Sequence, residues 1–135
     1  RIGYAFGSPK LIKALNDVKF SFNSYTMNMT SIKYGVASIN DKAYFDECVG
    51  KIIETREKAK ESLTKLGFTF PDSKANFIFA THKSVPAKEI FEKLKAKKIY
   101  VRYFNQPGID NYLRISVGTD EQMDKLIQAL SDIVA

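Results

Sequence analysis

The most regular signal in the chain is a stripe of apolar residues at helical spacing. Phe45, Val49, Ile52, Ala59, Leu63 and Leu66 recur at alternating four- and three-residue steps, with Arg56 as the one polar interruption. Asn40 or Asp41 fits the cap of this helix, and Gly67 fits the position just past its end. The stripe predicts a helix from about residue 41 to 66, roughly 39 Å long at 1.5 Å per residue.

After it the period changes. Phe68-Thr69-Phe70-Pro71 is at most a short edge strand, and Ala75 to Thr81 predicts a strand rich in aromatics. Ser84-Val85-Pro86 opens a helix with Ile90, Phe91 and Leu94 on one face, ending near Lys97. Ile99 to Phe104 predicts a strong strand, Asn105-Gln106-Pro107-Gly108 a turn, and Tyr112 to Val117 a further strand. Thr119 with Gln122 forms a capping box for a closing helix that carries Met123, Leu126, Ile127, Leu130 and Ile133. From residue 41 the order is helix, strand, strand, helix, strand, strand, helix. Short connections between strands predict an α+β domain, with a small antiparallel or mixed sheet covered by helices on one face.

Residues 1–40 read differently. Ile2 to Phe6 predicts a short strand, and Pro9 opens a helix carrying Leu11, Ile12 and Leu15, ending near Lys19. Phe20 to Asn23 reads as a polar-interrupted link. Ser24 to Ile39 shows a looser helical pattern weakened by Gly35. The change in pattern places a boundary near residue 40, between segments 1–40 and 41–135.

Composition narrows the picture little. The 135 residues are 44% hydrophobic and 27% charged, enough for one good core. No apolar run approaches the ~20 residues of a membrane span, and no signal peptide is visible. The chain opens on Arg1, not Met, inside an expected strand, so we expect a piece of a longer protein. A lone cysteine, Cys48, leaves no internal disulfide and points to a reducing, cytoplasmic setting; its helical position suits a small buried hydrophobe. The one histidine, His82, has no second histidine or cysteine near it, so no metal site is expected. The net charge of +6 comes from scattered lysines, which read as a solvated surface before a nucleic-acid patch. The RNA-recognition signature, G-x-G-x-x-G and the Walker motif are all absent.

Arg102 and Arg114 are the first candidates for chemistry. Each lies inside a hydrophobic strand, where a charge is costly unless paired or bound. Arginine's planar fork suits carboxylate or phosphate. By pattern alone, an exposed face or a structural ion pair explains both more simply. Arg1, close to Gly3 at a strand edge, is a weak phosphate signal. Asn76 fits a turn better than a ligand contact.

A resemblance adds to this. Arg1-Ile2-Gly3-Tyr4-Ala5, Val18 to Asn23, Thr55-Arg56-Glu57, Leu66-Gly67-Phe68, Ala75 to Phe79, Val101 to Phe104 and Leu113 to Thr119 resemble, in order and spacing, the C-terminal part of histidinol-phosphate aminotransferases. The resemblance spans essentially the whole chain. It implies a fold type I pyridoxal-phosphate enzyme, with residues 1–40 as the tail of a large cofactor domain and 41–135 as a small C-terminal domain. It assigns Arg1 to the cofactor phosphate, Arg114 to the substrate α-carboxylate and Arg102 to the substrate phosphate. The implied partners are an amino-acid or amino-alcohol phosphate and 2-oxoglutarate, in a homodimeric parent with no nucleic-acid or membrane partner. In the family the Schiff-base lysine precedes the position of Arg1. No lysine here matches it, so the chain alone is expected to be inactive and prone to self-association. A non-catalytic small-molecule or RNA-binding α+β module is the alternative reading. A lyase or decarboxylase on the same scaffold is a third.

Overall fold

A computed structural model of the chain describes residues 2–135. It divides into two compact units, one ending at Asp46 and the other running from Glu47 to Ala135.

In the first unit the expected strand at Ile2–Phe6 does not form; residues 2–8 have no regular structure. A strand needs a neighbour to take its hydrogen bonds, and the described part of this unit contains only helices. Helix α1 spans Pro9–Phe22. Ser8 caps it by accepting from the Leu11 amide, and Pro9 occupies the first turn, where its missing N–H costs nothing. The helix does not stop at Lys19 as the pattern suggested. Ser21 donates to the Val18 carbonyl at 2.6 Å, so its hydroxyl is satisfied within the helix, and the end comes at Asn23. Helix α2 spans Met29–Asn40. It begins later than the apolar pattern does, because Asn28 accepts from the Ser31 amide at 2.7 Å and sets the first turn. At Gly35 a Cβ would meet only Ile2 Cδ1, at 2.6 Å, the end of a flexible and half-exposed side chain that can give way. No residue of α1 or α2 is buried, and their apolar side chains are largely exposed.

Helix α3 spans Lys42–Lys65. Asp41 caps it by accepting from the Tyr44 amide at 3.2 Å. The apolar stripe is buried at Ala59 and Leu63, in the C-terminal half of the helix. Arg56, the polar interruption, is also buried. Gly67 follows with φ +86°, the left-handed position that glycine takes without a Cβ penalty.

The second unit continues with β1 (Phe68–Thr69), β2 (Phe77–His82), α4 (Ala87–Ala96), β3 (Arg102–Tyr103), β4 (Leu113–Ser116) and α5 (Asp120–Val134). The element order from α3 onward is the one expected. The four strands form one antiparallel sheet in the order β1-β2-β4-β3. Alternation sets its two faces. Ile78, Ala80, His82, Leu113 and Ile115 point into a core closed by Ala59 and Leu63 of α3, Ile90 and Leu94 of α4, and Met123, Leu126 and Leu130 of α5. Phe77, Phe79 and Arg114 lie on the other face. The capping box is present: Thr119 accepts from the Gln122 amide while the Gln122 side chain accepts from the Thr119 amide.

The strand expected over Ile99–Phe104 shrinks to two residues. Its start is taken by the end of α4, where the Lys98 amide donates to Lys95 and the Ile99 amide to Leu94. That pair of bonds is a Schellman ending, and it puts Lys98 at φ 59°. Lysine there carries the left-handed penalty that glycine avoids. Lys98→Gly is expected to stabilise the unit by about 0.5–1 kcal/mol, the relief being partly offset by glycine's freedom in the unfolded chain. Urea denaturation of the two proteins checks this.

His82 resolves as a satisfied core histidine. Its Nδ1 accepts from the Val85 amide at 3.0 Å and from Ser84 at 3.3 Å, so its Nε2–H donates to the Leu66 carbonyl at 2.9 Å. Cys48 is half-buried in α3.

The loop after β1 is tied to α3 by charge. Lys60, its side chain only 15% exposed, reaches both Glu57 and Asp72, and Lys74 reaches Asp72 at 3.0 Å. Hydrogen bonds from Lys60 and then Lys74 lower the Asp72 carboxyl from 3.8 to about 2. A carboxylate with a lowered folded-state pKa contributes stability above its unfolded value and loses it as pH falls. Asp72→Asn should therefore lower stability at neutral pH and flatten the loss between 3.8 and about 2. Thermal melts of both proteins across that range test it; parallel curves would show that the tie does not contribute.

Candidate functional site

Arg114 sits in β4 and Arg102 in β3, and the strand register makes them direct partners. Directly opposed residues share one face of a sheet with Cβ atoms about 5 Å apart. Both are exposed. Among the described residues neither guanidinium forms an ion pair or a hydrogen bond; the side-chain contacts are with rings. The Arg114 guanidinium lies 5.7 Å from the centroid of Phe77, and that of Arg102 lies 5.6 Å from Phe104. Of the two simpler readings, both arginines fit the exposed face and not the structural ion pair.

The rings extend over the same region. Tyr112 stacks on Phe79 at 4.7 Å and 8°, and Phe104 meets Phe79 edge-on at 6.0 Å. Like charges on directly opposed residues are destabilising, and an anion that joins them relieves that cost. Arginine paired with a carboxylate or phosphate can bond in two parallel N–H···O contacts, and the ring contacts limit how far each fork swings. The geometry therefore suits a small anionic molecule seated on the exposed face beside an aromatic cluster.

The sequence singled out both arginines but not their direct opposition, which depends on the turn between Phe104 and Tyr112. It also missed the stack of Phe79 with Tyr112, for the same reason. Asn76 lies in the bend before β2, where its backbone carbonyl accepts from the Val117 amide at 2.9 Å and extends the β2–β4 pair, a bond any residue can make. Arg1 lies outside the described residues. The four strands themselves carry no lysine, so they offer arginine forks and no amine of their own. Among the described residues there is no cluster of metal-ligating side chains and no helix long and apolar enough to cross a membrane.

The unit is an α+β arrangement with an antiparallel sheet, helices on one face and two arginines on the other, and comparison with known proteins gives it a family. The model for aminotransferase class I and II matches residues 1–130, and the chain belongs to that family. It is 48% identical over 134 residues to a histidinol-phosphate aminotransferase of Brachyspira hyodysenteriae, covering 99% of this chain and 38% of that protein. It is 51% identical over 130 residues to one from Acinetobacter baumannii (strain SDF), covering 96% and 36%. The chain thus spans well under half the length of these relatives. Among solved structures, histidinol-phosphate aminotransferase from Sinorhizobium meliloti in complex with pyridoxal-5'-phosphate superposes with a TM-score of 0.78 at 22% identity, over 96% of this chain and 35% of that one. A decarboxylase from Sulfurospirillum multivorans superposes at 0.77 and 20% identity, over 95% and 37%. The fold is therefore shared between different chemistries and does not select among them.

Proposed function

We propose that this chain is the substrate-gripping part of a pyridoxal-phosphate-dependent aminotransferase, which transfers an amino group between histidinol phosphate and 2-oxoglutarate. The observation that carries the reading is that Arg102 and Arg114 stand at opposed strand positions on the exposed face of the sheet, each guanidinium without an acidic partner among the described residues. In this reading Arg114 grips the α-carboxylate of the amino-acid partner and Arg102 the phosphate of the amino-alcohol partner. Arg1 holds the cofactor phosphate. Pyridoxal phosphate supplies an electron sink for the transfer; the lysine that carries it comes from outside these residues. Residues 1–40 belong to the cofactor-binding domain and 41–135 to the small domain. The exposed apolar side chains of α1 and α2 meet the rest of a homodimeric, cytoplasmic enzyme, and left uncovered they favour self-association of the chain.

The high identity to histidinol-phosphate aminotransferases along nearly the whole chain supports this substrate over the decarboxylase alternative. The test is to mix the chain with pyridoxal phosphate, reduce with borohydride and map labelled lysines by mass spectrometry. Scattered, substoichiometric labelling and no transaminase activity are expected. One lysine labelled near one-to-one would place a cofactor site within the chain and overturn the reading.

A further inference from the structure

Arg56 is 4% exposed, and the anion-binding face makes no use of it. Its Nη1 donates to the Ala75 carbonyl at 3.1 Å, and its Nε donates to Glu57 Oε1 at 3.0 Å. Ala75 lies two residues before Phe77, the first residue of β2. Phe77 pairs with Ser116 of β4, and its ring is the one that Arg114 lies against. The neighbouring residue of the helix makes a matching tie on the other strand. Thr55, also buried, donates to Asp120 Oδ1 at 2.5 Å, four residues beyond Ser116. Consecutive residues of α3 thus hold the chain just before β2 and just after β4, at the end where those strands meet.

A buried guanidinium is costly, and a simple strand-to-helix contact would not need one. We infer that Arg56 is a positioning residue for the anion site: by fixing Ala75 it sets where the Phe77 ring stands, and so where the Arg114 guanidinium rests. The inference rests on the anion-gripping role proposed for Arg102 and Arg114. Arg56 touches no substrate; it acts through the backbone of β2 and one ring.

The test uses the 135-residue chain, with O-phosphoethanolamine as probe. It compares wild type with Arg56→Met, Arg56→Lys and Ile133→Val, the last a mild core change remote from the site. Binding is measured by calorimetry well below each melting temperature. The 15N resonance of Arg114 Nε, assigned with Arg114→Lys, is recorded without probe. Arg56→Met is expected to weaken binding roughly tenfold, as for groups that orient a ligand-binding side chain from one step away, and to move the Arg114 Nε resonance. Arg56→Lys, which keeps one donor for the Ala75 carbonyl, is expected to recover most of both. Ile133→Val should lower stability and change neither. If Arg56→Met leaves the Arg114 resonance in place, the inference is wrong even where stability falls. If the wild-type chain does not bind the probe but the resonance moves, the substrate reading fails and the positioning role stands. Where Arg56→Met does not fold, Arg56→Gln, shorter and uncharged, takes its place: a shifted resonance with weakened binding supports the role, and an unshifted resonance with unchanged affinity overturns it.

Discussion

Replacing Arg114 with methionine is expected to weaken binding of a small phosphate- or carboxylate-bearing ligand by about 100-fold. A hydrogen bond to a charged group contributes about 1.5–3 kcal/mol, or roughly 10- to 150-fold, and a two-pronged guanidinium contact falls at the upper end. Arg102→Met should cost less, and the double variant should leave no measurable binding. Arg114→Lys should not restore it, because an ammonium cannot offer the planar fork. The same variants have a second signature in the absence of ligand. The two residues are direct strand partners and, among the described residues, neither guanidinium has a carboxylate partner, so removing either relieves the repulsion of like charges on opposed positions. Each single variant should then melt slightly higher than wild type at low salt, with the gain lost as salt screens the pair. On the proposed reading, Arg114→Met in the full-length protein should lower kcat/KM chiefly for the carboxylate-bearing partner and Arg102→Met chiefly for the phosphate-bearing one. Full binding by the double variant would show that the ligand sits elsewhere.

Leu130→Ala should destabilise the second unit by about 2–5 kcal/mol, the range for deleting a large aliphatic side chain from a well-packed core. Leu130 is fully buried in α5, in the cluster with Leu63 of α3, Leu94 of α4 and Ile115 of β4. Removing it strips contacts from a core that joins three helices to the sheet, and no rigid neighbour can collapse to fill the space. Domains of this size hold only about 5–15 kcal/mol in all, so the change takes a large fraction of the total. Urea unfolding gives the value directly. A cost below about 1 kcal/mol would mean that α5 is not docked as described.

Much of the second unit was legible because its signals are local. The capping box at Thr119 and Gln122, the glycine at position 67 and the apolar rows of α4 and α5 each act within a turn or two, and all appear as read. What failed was decided by partners. Ile2–Phe6 has a strand's composition but no strand beside it. Ile99–Phe104 has the strongest strand composition in the chain, yet the Schellman ending of α4 takes its first residue and only Arg102 and Tyr103 pair. Arg56 read as a lapse in an apolar stripe and is in fact buried, with its charge met by Glu57 and a carbonyl. The site was half legible. Residue type and spacing marked the two arginines, while their opposition depends on a register that sequence spacing does not encode.

The sheet's outer strands, β1 and β3, have a further consequence. Each is only two residues long. A foreign strand arriving at either of these outer strands finds a ladder of two residues, too little to template growth by main-chain pairing there. Association of copies through β1 or β3 should therefore rest on side-chain stickiness, reversible on dilution, without the cross-β order of a fibril.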